Sequence, residues 1–175
     1  KQHVSTLMHL GRYDEAFRIA RVARHALARF GDRRLLAEHE ANTGSLYYQI
    51  DRHRAALACY DRAEAIFAEI DEPLSRAYLD HNRAAVLHEL DRVDEAIALY
   101  GRAAETYRAR GMRSLELQTD LALAFIEHLR GHYSEALRRF RAAEQAGATV
   151  LNDADLALTD LDLGEIYLRL NALPE

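Results

Sequence analysis

The sequence predicts an all-α protein, a solenoid of about four antiparallel helical hairpins repeated every 40 residues. Three observations predict it. The stretch LGRYDEA at residues 10–16 returns in altered form as IDRHRAA from Ile50, LDRVDEA from Leu90 and RGHYSEA from Arg130, each 40 residues after the last. Residue types that close a helix in the left-handed conformation recur every 20 positions, at Gly11, Gly31, Asp51, Asp71, Asp91, Gly111, Gly131 and Asn171. Between these markers the apolar residues step by three and four, as in Ala56, Tyr60, Ala63, Phe67 and Ile70, which is one stripe of an amphipathic helix. No β-type alternation competes.

Each element follows in turn. A stop every 20 residues leaves helices of about 18 residues, roughly 27 Å long. Asp14-Glu15, Asp94-Glu95 and Ser134-Glu135 put acids in the first turn of a helix, where its dipole favours them. Pro73 and Pro174 fit first turns as well. The series breaks at Leu151, where Gly147 or Asn152 offers another exit. The stripe of the second helix returns one period on as Ala96, Tyr100, Ala103 and Tyr107, then as Ala136, Phe140 and Ala143. A single hairpin of this size cannot bury its apolar face, whereas stacked neighbours can.

The chain reads as one repeat domain over residues 1–175, with elbows at Gly11, Asp51, Asp91, Gly131 and Asn171. Lys1 is not a start methionine, and the closing LNALPE aligns with LGRYDE and stops mid-repeat. The expectation is a fragment of a larger protein. Its C-terminal helix is then expected to expose Leu163, Ile166, Tyr167 and Leu170 and to bury them against another molecule, such as a second copy in a homodimer.

Composition narrows the function. Apolar residues at 49% and charged residues at 29% describe a globular chain. A formal charge of −5 provides no basic field for nucleic acid. The longest apolar run, residues 121–126, is too short to span a bilayer. No export signal opens the chain and its single Cys59 forms no internal disulfide, so a cytoplasmic location is the default.

The column pattern identifies the repeat. Small Ala16, Ala56, Ala96 and Ala136 are followed four residues later by Ala20, Tyr60, Tyr100 and Phe140, and three further on by Ala23, Ala63, Ala103 and Ala143. In the first helices, Leu-Gly-x-x-Tyr is intact at residues 163–167 and partial at Gly44 with Tyr47. This pattern resembles the tetratricopeptide (TPR) family over the whole chain, which implies an α–α superhelix. The usual family repeat is about 34 residues, so this one is a long variant with both helices extended. Where the family often has a tryptophan, this chain has Glu40, Asp80, Asp120 and Asp160. Long repeats with such helix starts resemble those of bacterial multidomain signalling proteins, ahead of CHAT-type proteases or within large ATPase-type transcription activators.

The acid column lies on the stripe that faces the partner helix. It is expected to pair with arginine or to accept a hydrogen bond from Tyr60 or Tyr100, because an unpaired buried carboxylate is costly. The competing reading is a ladder of ligand-binding carboxylates. His81, His88 and His128, with Glu89 nearby, form at most a loose cluster without the spacing of a zinc site, so no metal or other cofactor is expected. Cys59 sits beside Tyr60 without a base or an oxyanion site, and the eight glycines form no phosphate loop. The chain is therefore read as non-enzymatic.

The TPR resemblance implies that first helices line a concave groove that receives a peptide or a partner protein. Carried over, it implies a polar half at Asn42, Tyr78, His81, Asn82 and His88, and an apolar half at Leu121, Phe125, Leu129, Leu161 and Leu168, with His128 also on the inward face. The first three hairpins place no lysine or arginine at the groove positions, so acidic chaperone tails are not the expected ligand. Residues 115–129 are hydrophobic nearly all round, which means that either a partner or a neighbouring helix covers the second face. The leading function is a protein-interaction scaffold within a larger signalling protein. The alternative is a small-ligand-sensing regulatory domain that controls an attached effector, with a closed pocket near His88 and Phe125.

Overall fold

The computed structural model describes residues 2–146 and 153–169. Among them there are only helices: α1 (Gln2–His9), α2 (Tyr13–Phe30), α3 (Arg33–Tyr48), α4 (His53–Ile70), α5 (Pro73–Glu89), α6 (Val93–Ala109), α7 (Arg113–Leu129), α8 (Tyr133–Ala146) and α9 (Asp153–Arg169). The fold is all-α and of TPR-like repeat type. From α2 onward the helices have 14–18 residues.

The turns explain the 20-residue rhythm. Gly11, Gly31, Asp51, Asp71, Asp91, Gly111 and Gly131 all have positive φ, between 50° and 84°. Asn171, Gly147, Leu151, Asn152 and Pro174 lie outside the described residues. Several of the turns close in the same way. The N–H groups of Arg12, Arg52, Met112 and His132 each donate back to the carbonyl five residues earlier, on Leu7, Tyr47, Tyr107 and Glu127, all at 2.9 Å. Helix-terminal carbonyls are thus satisfied while the chain reverses. The next helix then starts at once, the Arg12, Arg52, Arg92 and His132 carbonyls accepting from the buried Ala16, Ala56, Ala96 and Ala136.

Three of these turns use aspartate where glycine is strain-free. Holding an L-residue left-handed costs about 1 kcal/mol. Asp71→Gly, at φ 50° with an exposed side chain, is therefore expected to raise the unfolding free energy by up to about 1 kcal/mol, measured by urea denaturation. A loss of stability would show that the carboxylate contributes more than the strain costs.

Two compact units divide the chain, residues 1–91 with α1–α5 and residues 92–175 with α6–α9. In the first unit, Ala37, Ala56, Tyr60, Ala63, Phe67, Leu79 and Val86 form the main core. Leu7, Met8, Ala16 and Phe17 form a second cluster against Tyr47. In the second unit, Ala124, Ala136, Phe140, Leu163 and Ile166 pack together, with Leu117 and Ala143 in a neighbouring cluster.

The small residue before each ring has a direct steric reason in the first unit. A Cβ on Gly44 would stand 2.5 Å from Cε1 of Tyr60. The ring is 1% exposed and its hydroxyl lies 3.2 Å from the Ser45 hydroxyl. Glycine on α3 therefore lets α4 press an aromatic ring against the α3 backbone.

Candidate functional site

Two features of the first unit can hold a ligand, and they lie on opposite faces of α3. Residues 38, 41, 42 and 45 share one face by helical spacing, and residues 39, 40, 43 and 47 share the other.

On the first face, α3 and α5 border a cleft of about 440 Å³. Asn42 and Ser45 reach it from α3, and Ser75, Tyr78 and Asn82 from α5. Asn42, Tyr78 and Asn82 are exposed, while Phe67 and Leu79 form a buried apolar floor. Arg34 lines one end but is occupied by Glu38 at 3.1 Å and Glu72 at 3.5 Å. The cleft therefore offers amide and hydroxyl groups over an apolar base, with its one lining cation already neutralised. Three of the five predicted polar groove residues meet here. His81 and His88 do not line the cleft and are half-buried. Burial pushes the His81 imidazole below its ordinary value, favouring the neutral form.

On the second face, α2, α3 and α4 surround a cavity of about 310 Å³ lined by Phe17, Ala20, Arg21, Arg24, His39, Glu40, Thr43, Tyr47, Cys59 and Arg62. Glu40 is 2% exposed. Arg24 Nε donates to its Oε1, and Arg62 Nε to its Oε2 at 3.0 Å. Burial pushes the Glu40 carboxyl up, but the two guanidinium groups outweigh it and hold it below the usual carboxylate range. His39 Nε2 lies 2.8 Å from the Ala20 carbonyl, which it reaches as a donor. Cys59 is 2% exposed, and burial pushes its thiol up despite the adjacent Arg62. It is a packing residue beside a cation, not an activated nucleophile.

In the second unit the apolar patch is smaller than the sequence suggests. Phe125 and Leu129 are exposed, at 40% and 60%. Leu121 is half-buried and packs against the Phe140 cluster. His128 is 6% exposed, with Glu165 of α9 at 4.0 Å and the Tyr133 ring at 6.0 Å. It is therefore not a surface residue. Burial raises the Asp162 carboxyl above its ordinary value, with His128 opposing.

The predicted C-terminal dimer face is corrected. Leu163 and Ile166 are 5% and 0% exposed because they pack on Ala124 and Phe140 of the same unit. Tyr167 is half-buried and accepts from Arg141 Nη2 at 2.7 Å, and Leu170 lies outside the described residues. Among the described side chains of α9, Leu161 and Leu168 are exposed large apolar ones.

Similarity to known proteins follows the same architecture. BtubC (BKLC) from P. vanneervenii superposes with a TM-score of 0.87 at 22% identity, over 98% of this chain and 73% of that one. A Podospora anserina chain of nearly identical TPR-like repeats, of kinesin light chain type, superposes with a TM-score of 0.78 at 17% identity, over 95% and 83%. At such identities the likeness shows the fold alone. No curated protein matches in sequence. Residues 37–169, well over half of the chain, match the family described as soluble NSF attachment protein, SNAP. The chain belongs to the SNAP family.

In this SNAP-family chain the acid column serves architecture at Glu40 and Asp120. Glu40 pairs with Arg24 and Arg62, and Asp120 accepts from Arg139 Nη1 at 2.8 Å. Asp80 is buried and Asp160 is exposed. Tyr60 directs its hydroxyl to Ser45. A further buried acid, Glu116, accepts from Arg108 at 2.7 Å and from Arg113 at 3.0 Å. Among the described residues no three His, Cys, Asp or Glu side chains are grouped to hold a metal ion. No described helix of this SNAP-family protein is long and apolar enough to cross a membrane.

The arginine-lined cavity was not among the predicted sites. Its signal is only partly periodic. Arg62 and Arg102 each follow a ring residue, Tyr60 or Tyr100, by two, but the third copy places Ala142 two after Phe140.

Proposed function

We propose that the protein is an interaction scaffold that docks an extended peptide, or an extended segment of a partner protein, in the cleft between α3 and α5. The observation that carries this reading is the cleft itself, where Asn42, Tyr78 and Asn82 stand exposed above the Phe67 and Leu79 floor. Carboxamides both donate and accept, which suits a peptide backbone, and the floor suits alternate apolar side chains. The names of its relatives are in keeping, since the family is named for attachment to NSF. A single repeat domain over residues 1–175, set within a larger signalling protein of the CHAT or ATPase type and located in the cytoplasm, completes the proposal.

Peptides selected from a random displayed library against the 175-residue protein test it. The expected result is that selected peptides lose at least tenfold affinity for the double variant Asn42→Ala, Asn82→Ala, about 1.4 kcal/mol. Unchanged affinity would remove the cleft from the reading. A small molecule is the rival ligand, favoured by a volume within the range of small-ligand pockets. It predicts that affinity does not grow as a selected peptide is lengthened.

Phe125 and Leu129 form the second proposed contact, in the other unit. Leu121 packs into the core, so Phe125→Ser with Leu129→Ser is the informative pair. Partner capture is expected to be lost while the melting temperature stays within a few degrees. Retained capture would assign this patch no part in docking.

A further inference from the structure

The cavity opposite the peptide cleft has a charge balance that the protein itself leaves incomplete. Three arginines, Arg21, Arg24 and Arg62, line it, against the single carboxylate of Glu40. The difference, three minus one, is two positive charges in a chain whose formal charge is −5. Glu40 is buried and engages one guanidinium with each oxygen, so it fixes two forks in place without neutralising both. The Arg24 and Arg62 side chains remain 41% and 43% exposed. Glu40 holds both side chains, and Arg62 Nη2 also donates to Cys59 Sγ at 3.1 Å, so a ligand would meet cations whose ordering cost is already met. Arg21 lies on the exposed side of α2 at the rim and has no acidic partner among the described residues. Phe17 and Tyr47, which also line the cavity, stack on each other at 4.1 Å with planes 7° apart and supply its aromatic surface.

We propose that this cavity binds a phosphate monoester carrying a flat apolar group, with the phosphate on the guanidinium groups of Arg21, Arg24 and Arg62 and the apolar group against Phe17 and Tyr47. Guanidinium forks match phosphate oxygens in pairs. Two surplus charges suit a dianion better than a monocarboxylate. A volume of about 310 Å³ fits a small organic phosphate. The site is independent of the peptide reading, because it uses the other face of α3.

Calorimetric titration of the 175-residue protein with phenyl phosphate, inorganic phosphate and benzoate tests the proposal. Phenyl phosphate is expected to bind saturably. Inorganic phosphate should bind about tenfold more weakly for want of the ring, and benzoate more weakly for want of the second charge. Arg21→Ala, at an exposed position, should weaken phenyl phosphate binding about tenfold with unchanged melting. Arg24→Lys, which keeps a cation beside Glu40 but loses the fork, should weaken it as well. No saturable binding at about 10 mM, a level far weaker than a built site gives, would overturn the site. So would equal affinity in wild type and Arg21→Ala, and benzoate binding as tightly as phenyl phosphate would overturn its preference for a dianion.

Discussion

Glu40→Ala is expected to lower the unfolding free energy by about 3 kcal/mol, and the melting temperature by roughly 6–12 °C for a domain of this size. Glu40 is the point where three helices are tied. Its carboxylate on α3 takes Arg24 from α2 and Arg62 from α4. Removing it leaves two like charges facing each other across a void. Both arginines are about two-fifths exposed and can turn towards water, which keeps the loss at the lower end of the range for broken buried pairs. Glu40→Gln, which keeps the shape, should cost less. The pH dependence has a definite sign. Because the folded carboxyl is held below its ordinary value, its contribution is fully present above the unfolded value of about 4.3 and is lost as pH falls through the folded one. Glu116 behaves likewise, burial raising its carboxyl and Arg108 and Arg113 lowering it further. Urea denaturation at pH 7 and pH 3 should therefore show the Glu40→Gln deficit shrinking in acid. A deficit that does not depend on pH would mean that Glu40 acts by packing alone.

Gly44→Ala is expected to cost about 1–3 kcal/mol, whereas Gly164→Ala at the equivalent motif position should be neutral or stabilising by up to about 1 kcal/mol. At Gly44 the added methyl would sit 2.5 Å from the Tyr60 ring, which must shift within a packed core. At Gly164 an added Cβ meets nothing within 4 Å, so alanine brings only its better helix propensity. Two chemically identical substitutions thus have opposite expected signs, and paired thermal melts read the difference directly. A stable Gly44→Ala protein would show that the ring has room to move, and the close approach of α3 to α4 would lose its proposed cause.

The fold was legible because helix exits fall on a narrow set of residue types. At Gly31 or Asp71 only a residue that tolerates positive φ can end the helix and reverse the chain, so the marker is visible without any partner. The cleft residues Asn42 and Asn82 were legible too, being one repeat apart on successive first helices. What stayed hidden depends on neighbours distant in sequence. His128 falls one repeat after the half-buried His88, yet α9 covers it. Leu163 and Ile166 looked unpartnered, yet α7 and α8 supply their core. The Arg24–Glu40–Arg62 arrangement spans separations of 16 and 22 residues, so neither ion pair follows from spacing along one helix. The acid column declared the need for cations without naming them.

The self-closing turns carry a consequence for how such a chain can change length. The reversals at Gly11, Asp51, Gly111 and Gly131 are completed by hydrogen bonds within their own few residues, so they depend little on what comes before or after. Adding one residue inside a helix swings every following side chain by about 100° and scrambles the contacts beyond it. Adding a whole period returns each side chain to its former bearing and offers the newcomer ready-made neighbours. Growth or loss by complete periods is therefore the route along which evolution or engineering can resize this protein at least structural cost.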